Sequence, residues 1–103
     1  MYLCQTNYIL TIDTMNKKRI VFILNPISGT ISKAGIPDLI EERLNKSEFD
    51  YNILETQYAG HATELAKQAV KDGINIVVAV GGDGTVNEIG KSLINTSTAM
   101  AIL

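Results

Sequence analysis

Apolar positions along this chain follow two alternating patterns. Short, nearly unbroken runs occupy residues 19–24, 51–55, 74–80 and 99–103, and between them apolar residues recur at every third or fourth position. The first pattern is that of strands buried in a sheet, and the second that of helices with one face on a core. Run 19–24 is β-branched and aromatic and stops at the turn signal Asn25-Pro26, as a buried parallel strand does. Pro37 and Asp38 suit the opening of a helix, which the stripe of Leu39, Ile40 and Leu44 carries to about Lys46. A second strand covers 51–55. After Gly60, the spacing of Ala62, Leu65, Ala66, Ala69 and Val70 predicts an amphipathic helix, with Gly73 where a left-handed cap belongs. Run 74–80 is apolar almost throughout and so belongs at the centre of the sheet. Val86, Ile89, Gly90, Leu93 and Ile94 repeat the helical stripe, Gly90 allowing close approach to a neighbour, and 99–103 opens a fourth strand.

The resulting order β-α-β-α-β-α-β predicts a three-layer α/β/α domain with a parallel sheet and right-handed crossovers. The two loops richest in special residues follow strands one and three. Ligands bind such sheets where the strand order reverses, so the order 2-1-3-4 sets both loops at one crevice.

Composition narrows the function classes. The chain has 103 residues, 46% of them apolar, enough for one domain with a modest core. Its net charge is −2 and its basic residues are scattered, with only Lys17-Lys18-Arg19 consecutive. That argues against a nucleic-acid partner, which needs a dense basic face, and against a basic amphipathic membrane anchor. The one cysteine, Cys4, forms no internal disulfide, which fits a reducing cytoplasm, and no apolar run nears the roughly 18 residues of a membrane span. Residues 1–16 read as an N-terminal extension ahead of the domain at 17–103. Met15 with Asn16-Lys17-Lys18-Arg19-Ile20 resembles a natural start; alternatively Tyr8, Ile9, Leu10 and Ile12 have the propensity to add a strand.

The chemistry concentrates in Gly81-Gly82-Asp83-Gly84-Thr85, between the central strand and a helix. Glycines there let backbone N–H groups approach a ligand, and with the helix dipole behind them they favour phosphate, with Thr85 as the helix cap. Asp83 is the odd member, because a carboxylate repels phosphate unless Mg²⁺ bridges the two or it aligns an attacking hydroxyl. Alternatively Asp83 only caps the helix. Neither a G-x-x-x-x-G-K-[ST] loop nor a G-x-G-x-x-G fingerprint is present, which argues against a Walker-type NTPase and a dinucleotide site.

Asn25-Pro26-Ile27-Ser28-Gly29 after strand one, Thr56 with Gly60-His61-Ala62, and Gly81-Gly82-Asp83-Gly84-Thr85-Val86-Asn87-Glu88 after strand three together resemble the catalytic domain of diacylglycerol kinases. Sphingosine kinases and bacterial lipid kinases share that domain, in a fold group that also holds NAD kinases and phosphofructokinases. The resemblance implies an ATP-dependent lipid kinase that transfers the γ-phosphoryl group to a lipid hydroxyl. It places Asn25, Ser28 and Gly29 at the nucleotide pocket, Thr56 on the nucleotide, Gly81 to Thr85 on the phosphates, and Asn87 and Glu88 at the cleft on the first turn of the next helix. Asp83 becomes the candidate catalytic residue and Mg²⁺ ligand. His61 reads as structural.

Members of that family continue past the fourth strand into a Gly-Thr-Gly-Asn-like loop and a β-rich second domain with lipid contacts, further metal ligands and a general base. The expectation is therefore a nucleotide-binding part, inactive alone, with lipid and peripheral membrane contact confined to the complete enzyme. Two alternatives stand beside it. An NAD-kinase-like fragment shares the glycine loop, but Asn-Pro-x-Ser-Gly speaks against it. A non-enzymatic module would bind nucleotide or a partner through the cleft, as a homodimer that covers apolar surface.

Overall fold

The computed structural model describes residues 17–26 and 35–103. Seven elements alternate along them: β1 (Lys18–Leu24), α1 (Ile36–Arg43), β2 (Phe49–Glu55), α2 (His61–Lys71), β3 (Ile76–Val80), α3 (Asp83–Leu93) and β4 (Ala99–Ile102). The strands form one sheet in the order β2-β1-β3-β4 with every neighbouring pair parallel, the topology expected from the sequence. The extension and its candidate strand lie outside the described residues.

The central pair sets the core. β1 and β3 run in register from Ile20 beside Ile76 to Leu24 beside Val80. Successive side chains of a strand point to opposite faces, so each strand feeds two cores. Ile20, Phe22, Leu24, Val78 and Val80 pack on one face with Ile40 of α1. Val21, Ile23, Val77 and Ala79 pack on the other with α2 and α3, through Ala62, Ala66, Ala69, Ile89 and Leu93. The fully buried positions of α2 are all alanine, with the partly buried Leu65 and Val70 packed beside them against the same core. Phe22 also meets Tyr51 of β2 edge-to-face, ring centroids 6.2 Å apart. β4 is the exposed edge, where Ile94, Ile102 and Leu103 face solvent.

The element boundaries differ from the expected ones for local reasons. α1 stops at Arg43 and not near Lys46, because Leu44 is extended and Asn45 turns the chain. The Asn45 side-chain oxygen accepts the Ser47 N–H at 3.0 Å, and its backbone oxygen accepts those of Glu48 and Phe49 at 3.1 Å. A side chain that satisfies nearby backbone competes with the helix. β2 consequently begins at Phe49. β3 begins at Ile76 because the preceding residues close α2: Gly73 takes φ +72°, and Ile74 donates back to the Ala69 carbonyl at 3.0 Å. Asn75 then fastens the sheet's entry edge, its side-chain oxygen accepting the Arg19 N–H at 2.7 Å and its backbone oxygen that of Ala99 at 2.9 Å. Gly90 is not needed for close packing, since an added Cβ would lie 3.7 Å from Met100 Sδ, an ordinary contact.

The largest departure is at the start of α3. The helix begins at Asp83 with Gly82 as an extended N-cap, so Asp83, Gly84 and Thr85 belong to its first turn and not to a loop. Thr85 does not cap. It is buried and folds back over Gly81, whose added Cβ would stand 2.9 Å from both Thr85 Cβ and Oγ1. That close approach requires glycine at 81.

Two stability comparisons follow, each read by urea denaturation. Ile23, fully buried between both helices and the sheet, loses about 2–5 kcal/mol on Ile23→Ala, against about 0.5 kcal/mol or less for Leu39→Ala on the exposed side of α1. Gly81→Ala costs roughly 1–3 kcal/mol through the clash with Thr85, whereas Gly84→Ala, whose Cβ meets nothing within 4 Å, stays within about 0.5 kcal/mol.

Candidate functional site

Three adjacent strands end side by side. Beyond Leu24 the ladder continues by one residue on each flank: Asn25 donates its N–H to the Val80 carbonyl and Thr56 donates to that of Leu24, both at 2.9 Å. Asn25, Thr56 and Gly81 are thus the next residues of β1, β2 and β3, presented together at the sheet's C-terminal edge. This is the point where the strand order reverses, between β1 and β3.

A cleft of about 520 Å³ opens there, within the roughly 300–1,000 Å³ usual for small-molecule sites. Asn25 and Pro26 form one wall, the segment from Thr56 to Gly60 another, and Ala62, Thr85 and Glu88 the helical side. Thr85 ties the walls together: its hydroxyl accepts a hydrogen bond from Asn25 Nδ2 at 3.2 Å, which satisfies the buried oxygen and holds the Asn25 side chain in place. Glu88, half-buried, accepts the Thr63 hydroxyl on Oε1 at 3.3 Å, linking α3 to α2. No lysine or arginine is among the described residues of the lining. The positive end of the α3 dipole is the source of positive field in the described lining.

The segment after β2 is built as a rigid turn. Gly60 takes φ +87°, a region other residues rarely adopt, and directs the chain into α2. His61 Nδ1 accepts the Gln57 N–H at 2.9 Å, and the imidazole stacks on Tyr58 with centroids 4.3 Å apart and planes 15° from parallel. The Tyr58 hydroxyl donates to Glu64 Oε1 at 2.8 Å, and this hydrogen bond raises its pKa above the ordinary tyrosine value, so the phenol is neutral through the physiological range. In this arrangement His61 braces the turn after β2.

The structure brings Asn25, Thr56, Thr85 and Glu88 to one cleft and places Gly81 and Gly82 where the chain passes from β3 into α3. Asp83 and Gly84 are exposed on the first helical turn. Asn87 lies one turn further along than expected and is exposed, in a separate groove with Lys67 and Lys91 between α2 and α3. Ser28 and Gly29 lie outside the described residues. Among the described residues no three His, Cys, Asp or Glu side chains gather as a metal cluster, and no helix is long and apolar enough to cross a membrane. Sequence reasoning passed over Gln57 and Tyr58. The available signal was an aromatic three residues before a histidine, directly after a strand.

Comparison with known proteins agrees with this architecture. The profile of the diacylglycerol kinase catalytic domain matches residues 19–103. Diacylglycerol kinases of Staphylococcus saprophyticus and Staphylococcus carnosus are 35% identical over 74 residues, 71% of this chain and 24% of each relative. The chain therefore spans about a quarter of the length of these relatives. A crystal structure of a diacylglycerol kinase from Bacillus anthracis superposes with a TM-score of 0.64 at 24% identity, over 82% of this chain and 29% of that one, and shares the fold. With the profile running from β1 to the last residue of β4 and beyond, the chain belongs to the diacylglycerol kinase catalytic domain family.

Proposed function

We propose that this chain is the nucleotide-binding portion of an ATP-dependent lipid kinase, whose complete form transfers the γ-phosphoryl group of ATP to a lipid hydroxyl such as that of diacylglycerol. The observation that carries this reading is the meeting of Asn25, Thr56 and Gly81-Gly82 at one sheet edge, directly before the N-terminus of the eleven-residue helix α3. An anion placed there meets backbone donors and the positive end of a helix dipole, and side chains already fixed by other contacts.

Phosphoryl transfer is chiefly a matter of positioning and charge stabilisation. The acceptor oxygen bonds to the γ-phosphorus, the bond from that phosphorus to the β,γ-bridging oxygen breaks to release ADP, and the acceptor's hydroxyl proton passes to a base. In this chain Gly82 lets backbone N–H groups reach the phosphates. Asn25, anchored on Thr85, and Thr56 border the nucleotide from the strand ends, with Ser28 and Gly29 contributing by resemblance. Glu88 orients polar groups on the helical side through its bond to Thr63.

Asp83 suits Mg²⁺, because that ion is commonly held by one or two carboxylates together with nucleotide phosphates and not by a protein cage. Its exposure on the first turn of α3 leaves the carboxylate accessible for that role. Bound there, Mg²⁺ would supply positive charge that the described lining, which has no lysine or arginine, lacks.

The lipid acceptor, the second wall of the cleft and the proton acceptor belong to the three quarters of the relatives' length that this chain does not span. The complete enzyme works in the cytoplasm and touches the membrane peripherally. Losing half of the constellation costs many powers of ten in rate, so this chain with Mg-ATP and diacylglycerol yields negligible phosphatidate.

Calorimetric titration with Mg-ATP tests the binding part. The chain binds Mg-ATP, Gly82→Val weakens binding about tenfold or more by obstructing the backbone donors, and Asp83→Ala reduces the dependence of affinity on Mg²⁺. Gly82 sits at φ −84°, ψ −173°, which valine adopts without backbone strain, and circular dichroism checks that the variant folds. A folded chain that gives no binding heat and no ATP-dependent rise in Tm overturns the reading.

A further inference from the structure

Tyr58 has 54% of its surface exposed although it lines a concave site. An exposed aromatic in a concave wall is more informative than one scattered over a convex surface. The ring is also held from several sides. One face lies on His61, 4.3 Å away and nearly parallel. The hydroxyl is tied to Glu64, and His61 is itself fixed by the Gln57 N–H. The imidazole covers one face of the ring, while about half of the residue's surface stays open to solvent.

We infer that Tyr58 is the platform on which the base of the bound nucleotide stacks. The inference rests on the nucleotide reading above and goes beyond it by assigning the base end of the ligand. The phosphate end belongs with Gly82 and the start of α3. The segment after β2 contributes the aromatic side chain of the described lining. Every base has an apolar π-face, and stacking it on an aromatic side chain is favourable whatever its edge carries. A ring immobilised before the ligand arrives loses little conformational freedom on binding. Stacking tolerates any base, so the platform supports affinity for nucleoside triphosphates over inorganic polyphosphate and discriminates little between purines.

The test titrates the 103-residue chain, Tyr58→Leu and Tyr58→Phe with Mg-ATP and, separately, with Mg-tripolyphosphate, which offers the phosphates without a base. Tyr58→Leu weakens Mg-ATP binding about tenfold and leaves tripolyphosphate within about twofold. Tyr58→Phe keeps the ring and stays within about threefold for Mg-ATP. Stacking also perturbs the Tyr58 ring spectroscopically, so Mg-ATP but not tripolyphosphate changes a tyrosine fluorescence signal that Tyr58→Leu lacks. Equal losses for both ligands in Tyr58→Leu, or an unchanged affinity for Mg-ATP, overturn the platform and leave the nucleotide reading standing. Absence of Mg-ATP binding by the unaltered chain overturns both.

Discussion

The pairing of β1 with β3 is the contact on which the rest of this domain depends. Both strands are buried on their two faces, so their in-register match from Ile20 and Ile76 to Leu24 and Val80 ties together both halves of the core. It also brings together two loops that the chain separates by more than fifty residues. β1 leads to β2 on one flank, and the chain then crosses back over β1 to place β3 on the other. The helices that follow β1 and β3 pack on opposite faces of the sheet, and the reversal leaves a crevice between the two strand ends. The cleft is a consequence of strand order before any side chain is considered.

Small side chains then decide how close the walls come. Alanines take the fully buried positions of α2, and Gly81 leaves space for Thr85 to fold back beneath the start of α3. A buried hydroxyl costs free energy unless it is hydrogen-bonded, and Asn25 Nδ2 meets that need from across the crevice. One interaction thereby stabilises the junction of β3 with α3 and orients a cleft side chain. The opposite end of the sheet shows the complementary device, with Asn75 joining the entries of β1, β3 and β4 through its side chain and backbone. Backbone hydrogen bonds join the strands at both ends, and the C-terminal edge adds the Asn25–Thr85 bond that holds a cleft side chain.

Membership of the diacylglycerol kinase catalytic domain family gives this geometry its context. A cleft built from strand ends, a helix N-terminus and one rigid turn suits an extended ligand with an anionic end and a flat end.

By itself the sequence determined the element types, the parallel sheet and, through the chemistry of its loops, the strand order. Unbroken apolar runs and 3.6-residue stripes are local signals that tertiary contacts here reinforce. Asn25, Thr56, Thr85 and Glu88, which the structure brings to one cleft, were candidates in the sequence, since polar residues and glycines directly after buried strands have few structural reasons to be there. Tertiary structure decided what depends on competition between local groups and on contacts distant in sequence. Asn45 drew backbone donors to itself and ended α1 early. Thr85, readable as a cap, is a buried brace because Asn25, 60 residues away, supplies its partner. Asn87 lines only the groove between α2 and α3, while Glu88 borders both that groove and the cleft, since one residue is 100° of helical rotation. Tyr58 has as its local signal a histidine three residues on, and the turn at Gly60 and the stack on His61 set its ring at the cleft.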